Sequence, residues 1–94
     1  GLTANLNSWL VAEVLSPSTR MRDYGEKLPK YREMDSLEYI LLIEQEQPLV
    51  SVYSRIRETR RWQSVDYNSM EQSFELAGRE ISLADIYEGV AFTH

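Results

Sequence analysis

The stretch "SWLVAEVLSPSTRMRDYGEK", residues 8–27, decides the fold of this chain because it joins a buried strand to a helix. Its first part, residues 8–16, is almost continuously apolar. That length and the β-branched content favour a strand that is buried on both faces. Residues 16–19, "SPST", interrupt the strand and offer Ser18 or Thr19 as a helix N-cap. The stretch therefore predicts a buried strand followed directly by a helix.

A helix is predicted for residues 19–34 because apolar side chains recur there at helical spacing. The apolar stripe consists of Met21, Tyr24, Leu28 and Tyr31. Gly25 and Pro29 oppose the prediction, since an interior proline costs about 3 kcal/mol and an interior glycine about 1 kcal/mol. We therefore expect a kink or a break at Leu28, the residue before the proline.

The rest of the chain is predicted to be mostly strands. Apolar or alternating patterns place them at residues 37–45, 49–57, 60–67 and from 73 onward. A turn at Gly78 leads into a last helix, residues 82–90, with Ser82 as its N-cap. The order β-α-β-β-β-β-α predicts an α/β fold with a mixed sheet and a crossover helix. Neither a repeat nor a linker is visible, so residues 1–94 are expected to form one domain.

Composition excludes several kinds of site. The 94 residues contain no cysteine and one histidine, His94, which excludes disulfides and thiolate metal sites and leaves little basis for a histidine zinc site. No apolar run approaches the roughly 18 residues of a membrane span, and no signal peptide is visible. We therefore expect a cytoplasmic protein without a membrane partner or a small-molecule cofactor.

The basic residues are segregated, although the net charge is −5. Residues 20–32 and 55–61 together hold nine of the ten lysines and arginines. Such a distribution is typical of a phosphate-facing surface, and it is equally consistent with two solvated faces on an acidic protein. Candidate nucleic-acid contacts are Arg20, Arg22, Arg60 and Arg61. Trp62, next to Arg61, could stack on a base or cover the core, and the second role is the more common.

Glu13 is an unexpected residue in the first predicted strand. Strand alternation places it on the same face as Val11 and Leu15. Burying an unpaired carboxylate costs several kcal/mol, so Glu13 must be paired, hydrogen-bonded, protonated or bound to a metal. Pairing with Lys27 or Arg20 of the following helix is one interpretation, and a metal site is the other.

The chain resembles the Uma-two family of restriction endonucleases, which belongs to the PD-(D/E)xK nuclease superfamily. The resemblance rests on "VAEVLSPST" followed by "DYGEK", on "LEYILLIE", on a hairpin that ends in Trp62, and on "ISLADIYEGV". It covers essentially all of residues 8–90. It implies a restriction-endonuclease-like fold and metal-dependent hydrolysis of phosphodiester bonds in DNA.

The resemblance also implies roles for individual residues. Glu13 matches the glutamate of the (D/E)xK strand, so it is expected to bind Mg²⁺ and to be catalytic. Leu15 occupies the usual lysine position, and Lys27 matches a catalytic lysine that has moved to the helix. Tyr31 matches a tyrosine of the motif with no assigned role, and its position in the stripe favours a place in the core.

One part of the family pattern is not found. A Pro-Asp strand precedes the glutamate strand in the family, whereas the 12 residues before Glu13 contain no acid. The chain is therefore expected to lack the N-terminal part of the family domain, to bind Mg²⁺ weakly on its own, and to be impaired as an endonuclease. A missing strand would expose a sheet edge and favour a homo-oligomer, such as a dimer. The alternative is a non-catalytic, self-associating remnant of the fold with a DNA-binding or structural role.

Overall fold

The computed structural model describes residues 2–7, 9–16 and 28–90, the first of these ranges as backbone only. These ranges contain seven strands and two short helices. The strands are β1 (Leu2–Asn7), β2 (Leu10–Leu15), β3 (Tyr39–Glu44), β4 (Val50–Arg55), β5 (Trp62–Tyr67), β6 (Ser73–Leu76) and β7 (Arg79–Ser82), and the helices are α1 (Leu28–Arg32) and α2 (Leu83–Ile86).

Strands β1 to β5 form one sheet in chain order, and β6 pairs with β7 in a separate hairpin. In the large sheet β2 and β3 are parallel, while the other neighbouring strands are antiparallel. Two parallel neighbours need a crossover connection, and α1 lies in the segment that joins them. The prediction of a mixed α/β fold is therefore confirmed, although the predicted order of elements needs two corrections.

The first correction is β1, a strand that the sequence pattern did not predict. It pairs antiparallel with β2, with Thr3 opposite Glu13. Strand β1 therefore covers the edge of the glutamate strand and is itself an outer strand of the sheet, so the expectation that a missing N-terminal strand exposes an edge stays a prediction. The sequence of β1, "LTANLN", alternates apolar and polar residues as a strand does, and it carries no acid.

The second correction is β7, which was predicted as the entry to the last helix. The two-residue turn before it has positive φ at both positions, 52° at Ala77 and 83° at Gly78. Positive φ at both central residues is typical of the hairpin turn whose twist matches that of the flanking strands. The chain therefore returns antiparallel to β6, with Leu76 opposite Arg79.

The helices end earlier than predicted. Helix α1 covers Leu28–Arg32 within the described residues, and residues 19–27 of the predicted helix lie outside them. Pro29 is in the first turn of α1, where its missing N–H costs no helical hydrogen bond. Helix α2 covers Leu83–Ile86, and Ser82 is confirmed as its N-cap, since its side chain accepts a hydrogen bond of 3.1 Å from the Asp85 amide. No helix in the described ranges is long and apolar enough to cross a lipid bilayer.

The large sheet has a core on each face. On the hairpin face, β6, β7 and α2 cover a cluster of Leu10, Leu41, Val50, Val52, Phe74, Leu76, Leu83 and Tyr87. On the α1 face, α1 and the loop after it cover Val11, Leu15, Leu28, Leu37, Ile40 and Leu42. Strands β2 and β3 contribute to both clusters, which confirms that the first predicted strand is buried on both faces and explains its nearly continuous apolar sequence.

Candidate metal centre and nucleic-acid interface

Glu13 lies in β2 on the α1 face and has no exposed surface, with a relative accessibility of 0%. Its neighbours across the sheet are Thr3 on β1 and Leu42 on β3. Its apolar neighbours on the same strand and face are Val11 and Leu15. A carboxylate in such surroundings is stable only if polar partners replace the water that it has lost.

Tyr31 is one of these partners, since its hydroxyl donates a hydrogen bond of 3.1 Å to Glu13 Oε2. Buried Leu28 anchors α1 on the sheet, and Tyr31 follows it by three residues on the same side of the helix. The prediction that Tyr31 packs against the core is confirmed. Its contact with Glu13 was not predicted, because a helical stripe indicates which side faces the sheet but not which strand residue each side chain meets.

Glu44 is a second buried carboxylate, only 3% exposed, at the end of β3. Glu44 pairs in register with Leu15 on β2. Glu13 pairs with Leu42, so Glu44 lies two residues further along β3 than the partner of Glu13. Strand alternation therefore places Glu44 on the α1 face, diagonally across from Glu13. Its sequence context did not mark Glu44 as a site residue, because it immediately precedes a polar turn and resembles an ordinary strand end.

Tyr87 joins the end of β3 to α2. Its hydroxyl donates to the Glu44 carbonyl at 2.7 Å and accepts from the Leu49 amide at 3.2 Å. Burial raises the pKa of the Tyr87 phenol, the hydrogen bond from Leu49 lowers it, and the negative charge of Glu44 raises it further, with a net increase above 10.0. The backbone around Glu44 is therefore held in place by a contact from the hairpin face.

Hard oxygen ligands of this kind suit Mg²⁺, which proteins usually bind through one or two carboxylates together with substrate phosphates. Glu13 and Glu44 provide two carboxylates on one face of adjacent strands. The part of the chain that the structure describes contains no group of three or more His, Cys, Asp or Glu residues arranged to hold a metal. A cation held by these two carboxylates would therefore need phosphate and water oxygens to complete its coordination.

Three of the predicted site residues, Lys27, Arg20 and Arg22, lie outside the described residues. The proposed approach of Lys27 to Glu13 accordingly stays a prediction, as do the DNA contacts of the two arginines.

Arg60 and Arg61, the other two predicted nucleic-acid contacts, are exposed in the loop between β4 and β5. Arg60 Nη2 lies 3.8 Å from Asp35 Oδ1, and the two side chains are 85% and 83% exposed. An ion pair so exposed contributes little to stability, so Arg60 can exchange it for a phosphate at small cost. Arg57 in the same loop is also exposed, and so are Lys30 and Arg32 of α1.

Arg55 has a different, structural role. It donates from Nε to the Leu37 carbonyl at 2.9 Å and from Nη2 to the Met34 carbonyl at 2.7 Å. Its guanidinium also lies 4.5 Å from the centroid of the Trp62 ring. Arg55 thereby joins the loop after α1 to the β4–β5 hairpin and brings parts of the two basic stretches to one side of the molecule.

Trp62 packs against the core of the α1 face beneath Arg55, which favours its interpretation as a core residue over one as a base-stacking residue. Its indole Nε1 is buried and has no hydrogen-bond partner within the described ranges. We find no structural reason for this unpaired donor.

A mixed sheet crossed by a helix, with a buried glutamate beneath that helix and arginines on the adjoining loop, makes this a small α/β domain consistent with a compact nuclease-like fold. The comparison with family models specifies the class further: the Uma2 model, described as "Putative restriction endonuclease", matches residues 7–86. The chain therefore belongs to the Uma2 family. No curated protein and no solved structure matched the chain in the other two comparisons.

Proposed function

We propose that this protein is a metal-dependent DNA endonuclease of low activity. The observation that carries the proposal is the burial of Glu13, the residue that matches the family's metal-binding glutamate, beneath a helix whose Tyr31 binds its carboxylate. Evolution toward stability alone favours an apolar residue at such a position, because a well-packed apolar replacement is often neutral or stabilising. A buried glutamate in this family is better explained by chemistry.

In this proposal Glu13 holds the cation, and Glu44 is the second carboxylate within reach from the same face. A bound Mg²⁺ supplies a more acidic water and stabilises the charge that develops on the phosphate. Lys27 is proposed to orient the attacking water or to neutralise the transition state. The five-stranded sheet fixes the backbones of both glutamates, which gives the site a rigid base.

Two features of the described residues support low activity. Strand β1, the neighbour of β2, carries no acid in its sequence "LTANLN". The carboxylates of Glu13 and Glu44 are almost inaccessible, at 0% and 3% exposure. A metal and a phosphate therefore reach them only when the cover over the α1 face moves, and the free-energy cost of that movement slows the reaction.

The test is nicking of supercoiled plasmid with millimolar Mg²⁺ or Mn²⁺, by the wild-type chain and by Glu13→Gln. We expect slow, metal-dependent nicking that Glu13→Gln abolishes. Glu75→Gln is the matched control, since Glu75 is exposed on β6 in the separate hairpin, and it should nick as the wild type does. Equal nicking by wild type and Glu13→Gln, or none by the wild type with either metal, would overturn the proposal.

A second candidate is a non-catalytic, DNA-binding remnant of the nuclease fold. This candidate is favoured by the exposed arginines of the β4–β5 loop. It is also consistent with the finding that the described residues contain no group of three or more possible metal ligands. It differs from the first candidate in one measurable respect, because it binds DNA equally with a divalent metal and with a chelator. Metal-independent binding together with no nicking would therefore support it.

A further inference from the structure

The hydrogen bond from Tyr31 to Glu13 joins a helix residue to a strand residue 18 positions earlier. We propose that Tyr31 is a positioning residue, which fixes the orientation of the Glu13 carboxylate for cation binding. The inference rests on the proposed function and extends it to a residue that does not itself bind the metal.

The surroundings of Tyr31 restrict where its hydroxyl can be. Leu28, one helical turn earlier, is buried in the core of the α1 face. After the helix, Arg55 binds the carbonyls of Met34 and Leu37 and so fixes the loop on the other side. A phenol anchored from both directions holds its hydrogen-bond partner in one orientation, which a mobile surface residue could not do.

A phenol is also chemically suited to this role. It donates one hydrogen bond to Glu13 Oε2 and adds no positive charge that would repel a cation. A carboxylate offers about four lone-pair sites, and the Tyr31 hydroxyl occupies only one of them. Partners that orient a metal ligand in this way are frequent, and their removal typically weakens metal affinity or activity by about 10-fold to 100-fold.

A purely structural role for Tyr31 makes a different prediction. If the hydroxyl only fills space or stabilises the fold, its removal changes the melting temperature and leaves the metal affinity of the folded protein unchanged. Metal affinity measured on the folded chain therefore separates the two roles.

The experiment is Mn²⁺ titration by isothermal calorimetry of the full chain, with folding of each variant checked by circular dichroism. We expect Tyr31→Phe to bind Mn²⁺ about 10-fold to 100-fold more weakly than the wild type. Tyr67→Phe is the matched control, since Tyr67 is half-buried and its ring packs against Phe74 on the hairpin face. Removal of the Tyr67 hydroxyl should leave the Mn²⁺ affinity within about twofold of the wild type. A variant with p-aminophenylalanine at position 31 restores a donor at the same place and should restore the affinity, even if Tyr31→Phe folds poorly.

The outcomes distinguish failure of the inference from failure of the proposed function. If Glu13→Gln abolishes Mn²⁺ binding while Tyr31→Phe binds as the wild type does, Tyr31 has no positioning role and the proposed function stands. If the wild type binds no Mn²⁺, or Glu13→Gln binds it equally well, the metal centre is refuted and the inference with it. Failure of p-aminophenylalanine to improve on Tyr31→Phe would also refute the inference.

Discussion

Glu13 and Glu44 are two buried carboxylates that lie two residues apart in register on adjacent parallel strands. Each costs several kcal/mol to bury unless partners compensate, and the Tyr31 hydroxyl is one such partner of Glu13. At the scale of the residue, the question is whether Glu44 shares the cation with Glu13 or serves the strand end alone.

Glu44→Gln tests this question directly. The substitution keeps the size and hydrogen-bonding capacity of the side chain and removes its charge, so a cation shared with Glu13 should bind about tenfold more weakly. Mn²⁺ calorimetry measures the effect. The control is Glu46→Gln, an equal change of charge at an exposed position of the neighbouring turn. If both variants bind Mn²⁺ like the wild type, Glu44 belongs to the strand end and not to the metal centre.

The residue scale also shows what the sequence could and could not predict. The burial of Glu13 was predictable because its neighbours on the same face, Val11 and Leu15, are apolar. The contact with Tyr31 was not, because helical spacing fixes the side of a helix but not its position over the sheet. Glu44 was hidden by its place before the turn, where a charged residue usually points to solvent.

At the scale of the element, α2 contributes more to the fold than the packing of its four residues, because it places Tyr87 next to the β3–β4 turn. Tyr87, immediately after it, reaches across to the β3–β4 turn and binds the backbone on both sides of that turn. The sequence predicted a helix here with its Ser82 cap, but not this contact, since a tyrosine in a helical stripe is equally consistent with simple packing. The contact couples the hairpin face to the strand that carries Glu44.

Tyr87→Phe should therefore lower the free energy of unfolding by about 1–3 kcal/mol, because it removes the hydroxyl that binds the buried Glu44 carbonyl and the part-buried Leu49 amide. Urea unfolding followed by circular dichroism measures the change. Tyr67→Phe is the control, at a half-buried ring on the same face. A loss no larger than that of the control would show that the hydroxyl contributes nothing.

The raised pKa of Tyr87 adds a dependence on pH with a definite sign. Below pH 10.0 the phenol is protonated in both states, and its stabilising contribution is complete. At higher pH the unfolded chain loses the proton first, so the contribution declines as the pH rises through the native pKa. The difference in unfolding free energy between wild type and Tyr87→Phe should be constant up to about pH 10 and narrow above it.

At the scale of the whole molecule, an acidic protein presents a basic side. The net charge of −5 opposes DNA binding, and the proposed DNA contact is the loop that exposes Arg57, Arg60 and Arg61. The distribution of charge along the sequence identified these residues. It could not predict that Arg55 donates its hydrogen bonds to the Met34 and Leu37 carbonyls and so differs from the exposed arginines of the loop. The predicted order of strands was incomplete, because β1 is less apolar than the strand that follows it and β7 has only four residues.

The basic side predicts salt-dependent DNA binding. Replacing Arg60 and Arg61 together by glutamate should weaken binding at low salt and reduce the slope of log K against log salt by about 0.9 for each phosphate that the protein no longer neutralises. Fluorescence anisotropy with a labelled duplex measures both quantities. Arg79→Glu, an exposed arginine on β7 outside the two basic stretches, is the control. Equal effects of the two variants would indicate a general charge effect and no defined interface.

Self-association is a separate proposal at this scale. Strand β5 is the last strand of the sheet, and its central residues, Gln63, Ser64, Val65 and Asp66, are all exposed. An outer strand of this kind offers unpaired amides and carbonyls to a second chain, while charged residues at and near it limit such pairing. Strand β1 is the outer strand at the other end of the sheet, so β1 and β5 are the two candidate edges within the described ranges.

The burial of Glu13 also affects the metal affinity that would be measured for this site in solution. If the carboxylate can be reached only in a minor, open conformation, the measured dissociation constant equals the intrinsic constant divided by the population of that conformation. An open population of about 1% would weaken the measured affinity of an intrinsically good site about 100-fold. A ligand that prefers the open conformation, such as DNA bound on the neighbouring arginines, would raise that population and with it the apparent affinity for the metal. Metal and DNA would then bind cooperatively.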